Sequence, residues 1–443
     1  MSEELFLERL KLNSNNRLFK SYDQELTFKE FKSFVAEIRH NLKQLDLSSG
    51  SLILVDIRNP FYFAGYVFAC MSLNLRPALL NYFFKAPQVA ELLKNNTYSL
   101  FISDQIHSGF ETLHVDSTQP PILTRSEDFT IPIDSEILFF TSGSIKSKAC
   151  LLTLRNFFYN ALGSSENIPL ESSNTWGLCL PLFHVGGFSI IVRAILAEAS
   201  VVFLDNNKLI EQIKQFNASH ISLVSTQFIR SLEQLPQTPL QHILLGGSAI
   251  PENYLKRAVD LELPIYKSYG MTEMASQVCT TSLLKKPTQF DCSGKILKYR
   301  ELKIENQKIF LRGPCLFKGY IENNLLKTPF DIDGWFSTGD NGELSEYGLK
   351  VLGRADRIFQ SGGENISPEI IEQELLKING VTRAYVCPEN DHEYGLRPIA
   401  YVEMSENLNA ESLQRTLEKK LSGLFRPKSI KSWNELPKTS WKM

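Results

Sequence analysis

No two of the seven cysteines stand in a C-x-x-C pair; Cys70, Cys150, Cys179, Cys279, Cys292, Cys315 and Cys387 are scattered along the chain. An odd, unclustered set reads as buried thiols in a reducing compartment, and it argues against a disulfide framework or a cysteine zinc site. Neither sign of charge is in excess: 47 Lys and Arg stand against 49 Asp and Glu, a net charge of −2. The signs are mixed along the chain, so no footprint for nucleic acid or an anionic membrane exists. Long apolar runs are missing too. The longest, FYFAGYVFACM at 61–71, is too short to span a bilayer. The N-terminus, MSEELFLERLKL, lacks the basic-then-apolar order of a secretion signal. A soluble cytoplasmic protein without membrane insertion is the expectation.

What is present is ordinary globular composition: 43% hydrophobic and 22% charged residues over 443 positions, too many for one compact core. Residues 27–42, TFKEFKSFVAEIRHNL, place Thr27 and Glu30 in capping-box spacing ahead of helical periodicity. SLILVDI at 51–57 reads as a buried strand, and Asn59-Pro60 then opens the apolar helix of 61–71. ILFF (137–140) is strand-like, and Thr153 is placed to cap a helix through TLRNFFYNALG. VVFL (201–204), HISLVS (220–225) and HILLGG (242–247) continue the alternation of strands with helical stretches. Such alternation predicts an α/β fold, largely parallel sheets covered by helices. Near residue 353 the texture changes to a glycine pair, a helix-like PEIIEQELLKI and a small α+β pattern. The division expected is therefore a large domain over 1–353 and a small α+β domain over 354–443.

Three stretches carry chemistry. The hydroxyl-rich loop FFTSGSIKSKA (139–149) follows a strand and offers Thr141, Ser142, Gly143 and Ser144 with Lys146 and Lys148. It lacks the spacing of a Walker loop, so alone it reads more readily as a polar turn. SYGMTEMASQ (268–277) sets an aromatic, a glycine, a hydroxyl and a carboxylate at the end of a probable strand. That group suits purine stacking, phosphate contact and Mg²⁺, though a solvated glycine turn has the same spelling. The stretch 334–375 holds Asp340, suited to chelating ribose hydroxyls, then Arg354 and the tight Gly362-Gly363 pair. The order and separation of the three weigh more than any one alone.

In that order they resemble the adenylate-forming superfamily of acyl-CoA synthetases, nonribosomal adenylation domains and luciferases. YGMTE, STGD and GRAD followed by GGENISPEIIE carry the resemblance, which covers nearly the whole chain. Within the superfamily, PLFHVGGFSIIVRAILA (181–197) and YGMTEMASQV look like the o-succinylbenzoate–CoA ligases of menaquinone biosynthesis. The resemblance implies an ATP-dependent acid–CoA ligase that passes through an acyl-adenylate, with ATP, Mg²⁺, a carboxylic acid and coenzyme A bound. It implies a mobile α+β C-terminal lid. It assigns phosphates to Thr141, Ser142, Gly143, Ser144 and Lys148, adenine to Gly247, Ser248, Ala249 and Tyr269, and ATP more generally to Gly270. Thr272 would meet the α-phosphate, Glu273 would hold Mg²⁺, and Asp340 and Arg354 would hold ribose. Lys442 would bridge the acid and the α-phosphate, and Asp356 would be the hinge. His184, Arg193 and Ser276 would line the acyl pocket, and Gly362, Gly363 and Glu364 the pantetheine tunnel. A homodimer is left open.

Two departures stand against the pattern. Ile145 and Lys146 replace the family's Thr-Gly, and Trp441 replaces the glycine before its lysine. They keep open a non-catalytic protein that retains nucleotide or acyl binding. A ligase for another aromatic or fatty acid is open as well. Arg193 bears on the choice of acid, because a buried arginine needs a partner and a dicarboxylate would supply one. A protein carboxylate, or solvent, would serve Arg193 equally well.

Overall fold

The computed structural model describes residues 2–84, 86–105, 112–141, 148–405, 407–421 and 423–437. Two large sheets dominate. One has nine strands, with Thr175–Leu178, Ser200–Phe203, His220–Val224 and His242–Gly246 at its centre; the other has eight, built around Leu52–Asp56, Arg76–Leu79 and Glu136–Phe140. These central strands pair in parallel. Alternate side chains take opposite faces, as the pleat requires: Ile53 and Val55 enter the central core, while Leu52 and Leu54 enter a second one behind the sheet.

Four helices fill the space between the sheets: Phe28–Lys43, Pro60–Ser72, Leu154–Ser165 and Val185–Ala197. The capping box predicted at Thr27 and Glu30 is present, with both reciprocal bonds. Thr153 caps the third helix, and Asn156 returns the bond. Phe188, fully buried, meets Phe68, Phe139 and Phe157 and so joins three elements by ring contacts. This layered core fixes the positions of the strand ends where chemistry is expected.

Parallel pairing accounts for only part of the large domain. Ser276–Thr280, Ala149–Thr153 and Gly319–Glu322 add antiparallel strands to the two sheets. A separate antiparallel sheet holds Glu301–Glu305, Lys308–Arg312, Phe336–Ser345 and Gly348–Arg354. Its first hairpin turns at Asn306-Gln307, both with positive φ, a geometry that matches the twist of paired strands. After Arg354 comes a smaller unit with its own core. The helices Pro368–Leu376 and Ala410–Lys420 lie with the sheet of Val381–Asp391, Gly395–Met404 and Ile430–Ser432. No helix among the described residues is long and apolar enough to cross a membrane.

Candidate active site

The strand Ile265–Met271 ends in the stretch that sequence singled out, then folds back on Ser276–Thr280. The return is tight. A side chain at Gly270 would bring its Cβ to 2.2 Å from the Ser276 carbonyl oxygen, so glycine alone fits. The turn Thr272–Met274 is followed by Ala275 and Ser276, both at positive φ, which is strained backbone held by its surroundings. That geometry buries Glu273, which is 8% exposed.

The Glu273 carboxylate accepts a hydrogen bond from the Tyr320 hydroxyl at 2.8 Å, and its main-chain oxygen accepts one from the Phe317 N–H. Burial raises the affinity of this carboxyl for a proton, while Tyr320, Lys148 and Arg354 oppose that shift. Lys148 stands with its ammonium 4.7 Å from the Tyr320 ring centre. Its backbone is pinned to Thr141, whose N–H donates to the Lys148 carbonyl at 3.0 Å. Ser142, Gly143 and Ser144, together with Lys146, lie outside the described residues, as do Trp441 and Lys442.

Asp340 and Arg354 are directly opposed partners in the antiparallel pair of Phe336–Ser345 with Gly348–Arg354. Arg354 reaches Asp340 at 3.5 Å and binds Asp356 at 3.1 and 2.9 Å. The Tyr269 hydroxyl donates to Asp340 Oδ2 at 2.5 Å. Gly247, Ser248 and Ala249 are exposed just past the strand His242–Gly246, with Gly247 at positive φ. Thus Thr141 is tied to Lys148, and Tyr269 and Arg354 to Asp340, by hydrogen bonds or ion pairs, while Tyr269 and Gly270 share the strand end that leads directly into Glu273. Thr272 opens the turn between Gly270 and Glu273.

Glu273 stands apart from other potential ligands: no group of three or more His, Cys, Asp or Glu side chains suited to a metal occurs among the described residues. A single buried carboxylate still fits Mg²⁺ arriving with a nucleotide, because that ion takes one or two carboxylates and completes its shell with phosphate and water oxygens.

Arg193 lies within the helix Val185–Ala197 and is 5% exposed. Its guanidinium donates to the Gln277 side-chain oxygen at 2.6 Å and to that of Asn160 at 3.5 Å, and it sits over the Trp176 ring. Among the described residues no carboxylate pairs with it and its Nε has no hydrogen-bond partner. Burial, with Arg300 nearby, pushes its pKa down to about 9, so it stays charged at neutral pH. Asn160 in turn donates to the carbonyls of Met274 and Gln277, tying this cation to the turn that holds Glu273. Ser276, one residue before Gln277, opens the same strand.

His184 precedes the first turn of the same helix, against Phe183, and burial pushes its pKa down to about 4. Gly362 and Gly363 form the tip of the hairpin Phe359–Ser361 with Glu364–Ile366. The neighbours of Gly362 there, Tyr394 and Leu424, belong to the smaller unit, and a Cβ on Gly363 would meet open space, so the described contacts do not bring the pair to the strand ends above.

Sequence reasoning missed Gln277, Asn160, Arg300 and Tyr320. Nothing local in FKGYIE ties Tyr320 to Glu273; the link is made by the pairing of Gly319–Glu322 with Ala149–Thr153. Gln277 was in view as the last letter of SYGMTEMASQ, and its neighbours are visible only in three dimensions.

With the geometry in view, comparison with known proteins is decisive at the family level. Residues 8–321 match the AMP-binding enzyme family, and 370–441 match the AMP-binding enzyme C-terminal domain. The chain belongs to this family. A 2-succinylbenzoate–CoA ligase from Bacillus cytotoxicus is 28% identical over 98% of this chain and 95% of its own length. The o-succinylbenzoate CoA synthetase of Bacillus subtilis in complex with its acyl-adenylate superposes with a TM-score of 0.88, at 26% identity over 99% of this chain and 96% of that one. The same enzyme with ATP and magnesium gives 0.86, at 26% identity over 98% and 96%. As an AMP-binding enzyme this protein is an adenylate-forming acid–CoA ligase, ATP-binding, with a large α/β N-terminal domain and a small C-terminal one.

A buried histidine gives the family member a pH signature. His220 is 1% exposed, with its Nε2 2.8 Å from the Pro169 carbonyl and its Nδ1 2.9 Å from the Ser219 hydroxyl. Those partners satisfy the neutral ring, and burial pushes its pKa down to about 4. A folded-state pKa below the unfolded one means that unfolding takes up a proton between the two values. Stability is therefore expected to fall as pH drops from about 6.5 toward 4, through His220 and His184 alike. Calorimetric Tm across that range checks this, and His220→Asn should flatten the slope.

Proposed function

We propose that this ligase joins o-succinylbenzoate to coenzyme A, releasing AMP and pyrophosphate. One observation carries the choice of acid: Arg193 is a buried cation whose described partners are two amide oxygens and an aromatic ring. Amide dipoles satisfy hydrogen bonds without neutralising the charge, and an uncompensated buried charge is costly. A substrate with a second carboxylate supplies the missing counter-charge. The relatives named for o-succinylbenzoate add support across nearly the whole chain.

A free carboxylate is a poor acyl donor, since its leaving group is oxide. In the first step a substrate carboxylate oxygen attacks the α-phosphorus of ATP and pyrophosphate departs. In the second the thiol sulfur of coenzyme A attacks the acyl carbon and AMP departs with the bonding electrons. Positioning and charge neutralisation are the protein's share of such transfers. Thr141, Ser142, Gly143, Ser144 and Lys148 hold the outer phosphates, while Thr272 orients the α-phosphate. Gly247, Ser248, Ala249 and Tyr269 surround adenine, Gly270 belongs to the ATP site, and Asp340 with Arg354 takes the ribose. Glu273 anchors Mg²⁺, which supplies charge neutralisation on the phosphates when bound. Lys442 bridges the acid and the α-phosphate. His184, Arg193 and Ser276 line the acyl pocket. Residues 354–443 act as the lid, turning at Asp356 so that Gly362, Gly363 and Glu364 line the path of the thiol in the second step.

The test is CoA-thioester formation with ATP and Mg²⁺ from o-succinylbenzoate, benzoate and a medium-chain fatty acid. Turnover with o-succinylbenzoate well above the other two is expected. Turnover confined to another acid would overturn the choice of substrate and leave the two-step chemistry in place.

A further inference from the structure

Tyr269 and Asp340 come from different sheets, the nine-stranded one and the antiparallel four-stranded one. Their side chains meet in a hydrogen bond of 2.5 Å from the phenol to Asp340 Oδ2. That length is characteristic of a hydroxyl donating to an ionised carboxylate, one of the stronger hydrogen bonds in proteins. Asp340 is 8% exposed, so an ionised form without donors would be costly. Besides the phenol it has Arg354 at the longer distance of 3.5 Å, on Oδ1. Its backbone is also held, the N–H donating to the Thr338 hydroxyl at 3.0 Å, and that hydroxyl donates to the Ile309 carbonyl.

An ionised carboxylate offers about four lone-pair sites, two on each oxygen. Among the described residues Tyr269 occupies one on Oδ2 and Arg354 approaches one on Oδ1, which leaves two. A ribose presents two hydroxyl donors, at its 2′ and 3′ positions. We infer that the Tyr269 hydroxyl is a positioning group for nucleotide recognition, fixing the rotation of the Asp340 carboxylate so that its two free lone pairs meet the ribose hydroxyls. The ring and the hydroxyl of Tyr269 then do separate work: the face would meet the base, and the edge sets the sugar contact. Phenylalanine would keep the first and lose the second. This inference rests on the reading of Asp340 as the ribose ligand.

Tyr269→Phe separates the two roles when ATP is compared with 2′-deoxy-ATP and 3′-deoxy-ATP in acid-dependent thioester formation. The wild-type protein should favour ATP over both analogues. The variant should lose about 10-fold in kcat/KM for ATP, mainly through KM, as expected for a hydrogen bond to a charged group. With each deoxy analogue, which keeps one of the two hydroxyls, the loss should be clearly smaller, so that the preference for ATP narrows. An equal loss with all three nucleotides would overturn the inference and leave Tyr269 as a packing or stacking residue. An unchanged preference for ATP would overturn it too. If the wild type fails to distinguish the three, or if Asp340→Asn retains the preference, the ribose reading of Asp340 itself falls. Direct binding of AMP and 2′-deoxy-AMP by calorimetry gives the same comparison without turnover, and it holds even where the variant is catalytically slow.

Discussion

Glu273→Gln is expected to lower the rate of acyl-adenylate formation by about 10²–10³-fold, the scale for removing one preorganised electrostatic group from an active site, here the carboxylate that would hold Mg²⁺ against the phosphates. The substitution keeps the volume and the hydrogen-bonding reach of the side chain, so the fold should survive. Tyr320 would still find an oxygen acceptor in the amide. What disappears is the negative charge, in a place only 8% exposed where charge acts over a weakly screened distance. Raising Mg²⁺ should recover part of the loss, because a weakened ligand set is filled at higher ion concentration. Adenylate formation titrated against Mg²⁺ checks both statements. Wild-type rates at ordinary Mg²⁺ would contradict the assignment of Glu273.

Arg193→Ala is the second large effect. Truncating one member of a buried ion pair costs about 2–5 kcal/mol, so kcat/KM for o-succinylbenzoate should fall by about 30-fold to a few thousand-fold. An acid with one carboxylate should lose far less, since it has nothing to pair with the guanidinium. Stability should move differently from activity. The variant gives up the contacts with Trp176 and Gln277, but it also removes a charge that no described protein carboxylate compensates. Gln277 keeps the Ser164 hydroxyl as a donor at 2.8 Å. The two changes oppose each other, so Tm should change little while activity collapses. A large drop in Tm with equal losses for every acid would make Arg193 a structural residue.

Local rules made part of this molecule readable in its letters. Thr27 with Glu30, Asn59 before Pro60 and Thr153 each started the helix expected of them, because a cap acts within one turn. The central strands were visible as short apolar runs between helical stretches. The antiparallel sheet from Glu301 to Arg354 was not recognised, because its strands mix polar and apolar residues and its hairpin turns on Asn306-Gln307, with no glycine to mark it. At the site, YGMTE and STGD announced themselves through the side chains they carry. Tyr320, Asn160 and Gln277 did not, since their importance lies in partners brought near by folding. Arg193 fell between the two cases. Its place within an apolar helix raised the question of a partner, and only the packed structure shows amide oxygens where a carboxylate could have stood.

The most direct test of the account is acid-dependent exchange of labelled pyrophosphate into ATP, run without coenzyme A. It isolates the first step and asks whether an acyl-adenylate forms and whether a second carboxylate is read. The account predicts exchange with o-succinylbenzoate that depends on Mg²⁺, and a rate lower by about 10²-fold with an analogue lacking the carboxylate that is not activated. Equal exchange with the two acids, or none with either, would contradict it.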